Sequence, residues 1–208
     1  MIARVLLFIK HRLPWLWRPI DWLNTRLYVL LHRKRMAAAV HGAFSEFRLD
    51  GFEYRPLTPN DMGQLEDLLE RQGTERLRYF QPHRFDLASL LKMQRNPAFL
   101  MFGAFRDEVL VGYFFLRCFW NRKCFVGRLI DKESEGNGIG RVMNQIMYHT
   151  AWRSGFRCMT TISRDNKLIM RSHANNPHAR FVGPLDNGYI LVEFVPEASP
   201  SNQDWIVE

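Results

Sequence analysis

Six residues of this 208-residue chain, Glu135-Gly-Asn-Gly-Ile-Gly140, have the makings of an anion cradle. The apolar stretch before them, Cys124-Phe-Val-Gly-Arg-Leu-Ile130, reads as a strand. After them Ile139, Val142, Met143, Ile146 and Met147 fall at i, i+3, i+4, i+7 and i+8, the spacing of one helix face. A glycine-rich turn at a helix start leaves backbone N–H groups unpaired, aimed where the positive end of the helix dipole also points. Glycine lets a bulky anion approach with no Cβ in the way. The pattern predicts a phosphate or pyrophosphate site; the competing reading is a tight loop with no ligand. No Lys-Ser/Thr pair follows, which excludes a nucleotide P-loop, and glycines at 136, 138 and 140 lack the dinucleotide fingerprint's spacing.

The elements that must position this turn fit one full-sized domain plus an appendage. Net charge is +8, but its location matters more than its size. Residues 1–35 hold Arg4, Lys10, Arg12, Arg18, Arg26, Arg33, Lys34 and Arg35 against Asp21 alone, leaving 21 basic and 20 acidic residues for the rest. A near-neutral domain argues against a nucleic-acid-binding face on it. Cys118, Cys124 and Cys158 are odd in number, sit in apolar runs and lack metal-site spacing. They read as buried thiols in a reducing compartment, with no metal expected.

The basic N-terminal segment also carries Trp15, Trp17 and Trp22. Ile2, Val5, Leu6, Ile9 and Leu13 share one helical face, and after Pro14 and Pro19 a second pattern reads Ile20, Leu23, Leu27, Leu30 and Leu31. No uncharged apolar run approaches the roughly 20 residues needed to span a bilayer. Basic residues, tryptophans and amphipathic helices together suit a segment lying on an anionic membrane surface. The alternatives are a helical hairpin packed on the domain or on a partner, and a nucleic-acid-binding segment. Residues 36–48 read as a helical or loop connector, giving an expected division into segment 1–48 and domain 49–208.

Beyond residue 52 the order is α/β. A strand Phe52–Leu57 leads into a helix opened by Thr58-Pro59, with Leu65, Leu68 and Leu69 buried. Residues 74–85 predict a loop or short helix, and Asp86 a cap for a helix through Leu90 and Leu91. Ala98–Phe105 and Val109–Phe119 predict a hairpin. The Cys124–Ile130 strand, the glycine turn, a long helix ended by Gly155, and a strand Cys158–Ile162 follow. A helix over 165–174 and strands near 178–183 and 188–195 complete the order.

This order, with its anion turn, resembles the GNAT superfamily of CoA-dependent N-acyltransferases over about residues 52–195. The family's Arg/Gln-x-x-Gly-x-Gly/Ala motif is met by Glu135-Gly-Asn-Gly138-Ile-Gly140. The resemblance implies a mixed, mostly antiparallel central sheet flanked by helices, here with a basic amphipathic helical extension. It implies acetyl-CoA, or another acyl-CoA, as co-substrate. Its pyrophosphate would lie on Glu135, Gly136, Asn137, Gly138, Ile139, Gly140 and Arg141, and its pantetheine arm against Leu129, Ile130 and Asp131. Thr161-Ile-Ser-Arg-Asp-Asn166 resembles the family's second cofactor segment, with Asn166 near the pantetheine or thioester. Two positions depart from the pattern. Glu135 stands where Arg or Gln is usual, with Arg141 or Lys132 as neighbours that could offset it. His173 stands where the family often has a proton-donating tyrosine.

Acyl transfer by direct attack needs a deprotonated amine, a donor for the thioester oxygen and an acid for the thiolate. Asp131 and Glu133 are the candidate bases, Glu193 a weaker one, and His173 as imidazolium the candidate acid. A strand amide near Ile130 is the expected oxygen donor. Tyr79, His83, Arg84 and His178 are placed by analogy around the acceptor. The leading reading is an N-acetyltransferase at the membrane surface, expected in the cytoplasm on the inner face of the cytoplasmic membrane. Its acceptor would be an amine on a small molecule such as an amino-sugar, or on a glycolipid. Oligomeric state stays open. A catalytically silent acyl-CoA-binding scaffold and an O-acyltransferase are the alternatives.

Overall fold

Seven strands form one sheet in the order β1-β2-β3-β4-β5-β7-β6, antiparallel except where β4 meets β5. The computed structural model describes residues 14–186 and 188–196, so the helix expected over Ile2–Leu13 and the tail from 197 lie outside it. The strands are β1 (Glu53–Pro56), β2 (Phe99–Arg106), β3 (Val109–Cys118), β4 (Lys123–Ile130), β5 (Arg157–Ser163), β6 (Ala179–Pro184) and β7 (Tyr189–Phe194). The hairpin β2–β3 turns at Asp107 and Glu108, both with positive φ. Strand β3 is buried almost throughout, as expected of a central strand covered on both faces.

One face packs on α2 (Met62–Glu70) and α4 (Leu87–Gln94), joined by the short α3 (Gly73–Leu77). Leu65, Leu68 and Leu69 are all buried, and Asp86 caps α4 by accepting from Ser89 N at 3.0 Å. The helix expected from Pro59 begins as a short 3₁₀ turn, Pro59–Asp61, before α2. The other face packs on α5 (Ile139–Arg153), which buries all five residues of its predicted stripe. The helix α6 (Lys167–Ala174) follows β5, and Cys118, Cys124 and Cys158 are free and buried side by side across β3, β4 and β5. Among the described residues, no His, Cys, Asp and Glu group could hold a metal.

The N-terminal segment differs from expectation. Its described part is a single helix, α1 (Pro14–Glu46), running through Pro19 and through the supposed connector. Proline costs a helix interior about 3 kcal/mol, and burial downstream outweighs that cost. Tyr28, Met36 and Ala43 lie in the core shared with α5, Ala39 is also buried, and Tyr28 meets Phe156 edge-on. Polar ties fix the register. Asn24 donates to Cys118 O and accepts from Trp120 N, and His32 Nε2 donates to Trp120 O at 2.8 Å. Among the described residues no helix is long and apolar enough to cross a membrane.

Tyr28→Ala should therefore destabilise the whole domain by about 3–5 kcal/mol. Urea unfolding followed by tryptophan fluorescence and by circular dichroism should shift together. A shift confined to the helical signal would show α1 to be separable from the core.

Candidate active site

Strands β4 and β5 pair over only three positions, Lys123–Phe125 against Arg157–Met159, and then diverge. Strand β4 stays paired to β3 up to Ile130, so the break leaves one edge of β4 open. Asp131 N bonds Val111 O, and amides alternate sides along a strand, so those of Arg128 and Ile130 face the opening. These are fixed donors at the edge of a cleft of about 400 Å³ that passes between the strands. Val126, Leu129, Met147, Thr161, Asn166 and Phe194 are among its walls.

The glycine turn sits at the open end of this gap. Gly136 and Gly138 have φ of +81° and +82°, a left-handed backbone that favours glycine. The first paired amides of α5 are those of Arg141 and Val142, both to Gly138 O; the amides of residues 136–140 have no backbone acceptor among the described residues. Gly140 matters for closeness instead. A Cβ there would come within 2.8 Å of Arg128 Nη1 and 2.9 Å of Ile130 Cδ1. From the turn a groove of about 730 Å³ runs between α5 and α6, floored by Arg128, Asn144 and Tyr148. Unpaired amides, a helix N-terminus and an open strand edge fit a long ligand with an anionic middle and an amide-bearing arm.

Charges around the turn are arranged differently from the sequence expectation. Glu135 is neutralised by Arg76 of α3, not by Arg141 or Lys132, and Arg76 Nη2 also donates to Ile130 O at 2.9 Å. Asp131 cannot serve as a base. It is buried, accepts from Arg71 Nε at 2.7 Å and Gln72 Nε2 at 3.1 Å, and these bonds hold its pKa below the usual carboxylate range despite burial. Its role is to tie α2 and the start of α3 to the end of β4. Glu133 is exposed on a short 3₁₀ turn and does not line the cleft. Glu193 is held by Arg157 and Arg180, which bring its pKa down to about 2.

His173 does line both cleft and groove, but burial first, and the charge of Arg128 second, bring its pKa down to about 4. It is a neutral imidazole at pH 7 and cannot be the imidazolium donor expected from sequence. Tyr148 is a better-placed hydroxyl. It accepts from Asn176 Nδ2 at 3.2 Å, and burial pushes its pKa up, so its proton stays available to a cleft ligand. Of the other expected residues, Leu129 and Ile130 line the cleft, and Arg141 the groove. Asn137 braces the turn by donating to Ser134 O, and Asn166 accepts from Ile169 N to cap α6 while lining the cleft. Tyr79 also lines the cleft, whereas His83 turns inward to Tyr113 and Arg84 is exposed. His178 lies in the α5–α6 groove. Sequence reasoning missed Arg76, Arg128 and Tyr148. Only Arg128 left a signal there, as a cation inside an apolar strand.

A histidine with a depressed folded pKa binds its proton more readily when unfolded, so stability falls as pH drops from 6.5 through about 4. An NMR titration should place the His173 midpoint near 4, and His173→Gln should flatten stability in that window. A midpoint above 6 would restore His173 as a proton donor.

Solved structures share this architecture. PaiA N-acetyltransferase from Thermoplasma acidophilum, in complex with coenzyme A, matches with a TM-score of 0.59 at 18% identity, over 69% of this chain and 98% of that one. The GNAT domain of S. lividans PAT matches with 0.59 at 15% identity, over 68% and 88%. Ribosomal-protein-S5-alanine acetyltransferase from Vibrio fischeri matches with 0.56 at 17% identity, over 76% and 97%. No protein-family model and no curated protein sequence matches the chain. In architecture, the chain has the fold of the GNAT acetyltransferases.

Proposed function

We propose that this chain is an acyl-CoA-dependent N-acyltransferase, with acetyl-CoA as donor, working on an amine at an anionic membrane surface. The observation that carries the reading is the divergence of β4 from β5 beside five unpaired loop amides, an edge and a cradle in one groove. Acetyl-CoA bound there would supply an activated acyl thioester. The chain's own part is to hold the anion at residues 136–140 and to offer the Arg128 and Ile130 amides to an oxygen that gains charge. Tyr148 keeps a protonated hydroxyl on the cleft wall for a departing thiolate.

The cleft is also lined by Glu75, Tyr79 and Phe80 and by Leu168 and Ile169. Glu75 is exposed and makes no ion pair among the described residues, so its carboxylate can meet an incoming ammonium group. An alkylammonium has a pKa of about 10 and must lose a proton before attack. With Asp131, Glu135 and Glu193 all ion-paired, that proton passes to water or to Glu75. The same pairing favours the silent-scaffold alternative in one respect, since neither acid nor base of the expected kind is in place. Turnover separates the two.

The membrane part rests on the outward face of α1. Opposite its buried stripe, Leu23, Leu27 and Leu30 follow one another at i, i+4 and i+7. Trp22 is 59% exposed and Leu30 79%, with Arg26, Arg33 and Lys34 exposed around them. Apolar side chains interleaved with cations suit the headgroup region of an anionic bilayer.

Isothermal titration should show CoA binding that Gly138→Trp abolishes, and an amine panel with acetyl-CoA should release thiol. Absence of binding at millimolar CoA sinks the cofactor reading, and binding without turnover on any amine leaves the scaffold. Because α1 carries core residues, the membrane claim is tested by point changes and not by truncation. The full chain should float with phosphatidylglycerol vesicles, and Leu23→Glu/Leu30→Glu should lose most of that flotation. Equal flotation of the two would refute it.

A further inference from the structure

Among the cations around the groove, Arg128 is the one placed under the cradle with no close ion-pair partner among the described residues. Its Nε donates to Asn144 Oδ1 at 2.8 Å, a neutral partner, and no carboxylate pairs with its terminal nitrogens among the described residues. The guanidinium lies against the first turn of α5, within 2.8 Å of where a Gly140 Cβ would stand, and it borders both groove and cleft. Burial lowers its pKa, yet an arginine keeps its charge. A partly buried, unbalanced cation costs stability unless something offsets it. Asn144 cannot, Tyr148 stays protonated, and Glu135 acts on it only at longer range while paired with Arg76.

The rest of the local field points the same way. Glu135, the acid of the turn, is cancelled by Arg76. What remains at the turn is positive: five unpaired amides, the N-terminal end of a 15-residue helix, and Arg128. A guanidinium with its fork free can hold two oxygens of a phosphorylated ligand at once, which amides on a single turn do not.

We propose that Arg128 is the charged ligand for the cofactor's diphosphate, so that this chain distinguishes phosphorylated CoA from bare pantetheine through a strand residue beneath the turn. The proposal rests on the CoA reading above and adds a residue and a selectivity to it.

The test is calorimetric titration of CoA and ligand-observed NMR titration of pantetheine on the full chain, for wild type, Arg128→Gln and Arg128→Lys. Arg128→Gln should weaken CoA binding at least tenfold and reduce its salt dependence. Pantetheine affinity should stay within twofold, and Arg128→Lys should recover part of the loss for CoA. In wild type, the Arg128 Nε–Hε resonance, assigned by its absence from Arg128→Lys, should shift with CoA and not with pantetheine. That measurement decides the matter should Arg128→Gln fail to fold. CoA binding by Arg128→Gln within twofold of wild type, an equal loss for both ligands, or an unmoved resonance overturns the proposal while the loop reading stands. If wild type binds no CoA, the cofactor reading falls first and this proposal with it.

Discussion

Three residues of parallel pairing, Lys123–Phe125 with Arg157–Met159, join the two halves of the sheet, and every other feature of the site depends on where that pairing stops. Had β4 and β5 stayed paired to Ile130, the Arg128 and Ile130 amides would have no opening to face. The halves do not come apart because side chains hold what the backbone releases. Helix α5 spans them, α1 covers their junction through Tyr28 and Met36, and the buried thiols of Cys124 and Cys158 pack directly across the seam. Arg157, the first residue of β5, is bound by Glu193 of β7, so the short paired segment is anchored at its outer edge too.

Electrostatics around the cleft follows from the same geometry. Three of the acids expected to act are given cations by the fold: Asp131 by Arg71, Glu135 by Arg76, Glu193 by Arg157 and Arg180. Partly buried carboxylates need such partners to stay ionised. Apart from the exposed Glu75, the acids around the cleft are structural, and amides, a hydroxyl and one guanidinium face it. Such a site stabilises charge that develops on a ligand more readily than it moves protons.

How much of this was legible in the residues depended on the range of the interaction. The turn at 135–140, the buried stripe of α5, the cap at Asp86 and the hairpin over 98–119 are local patterns, and each was readable because its determinants lie within a few residues. The partners Arg71 and Asp131 lie 60 positions apart, and Arg76 and Glu135 lie 59 apart; no spacing rule announces them. His173 was misjudged because its protonation is set by burial beside Arg128 and Phe194, which the sequence does not display. The proline at 19 was read as punctuation, whereas tertiary burial carries α1 through it.

Arg76 has a mechanical consequence. It reaches from α3 to both the last carbonyl of β4 and the acid of the glycine turn, so the short helix and the turn share one fastener. A movement of α3 that breaks this contact would uncover the charge of Glu135 beside the turn. Helix, strand end and turn are thus held in register by a single guanidinium.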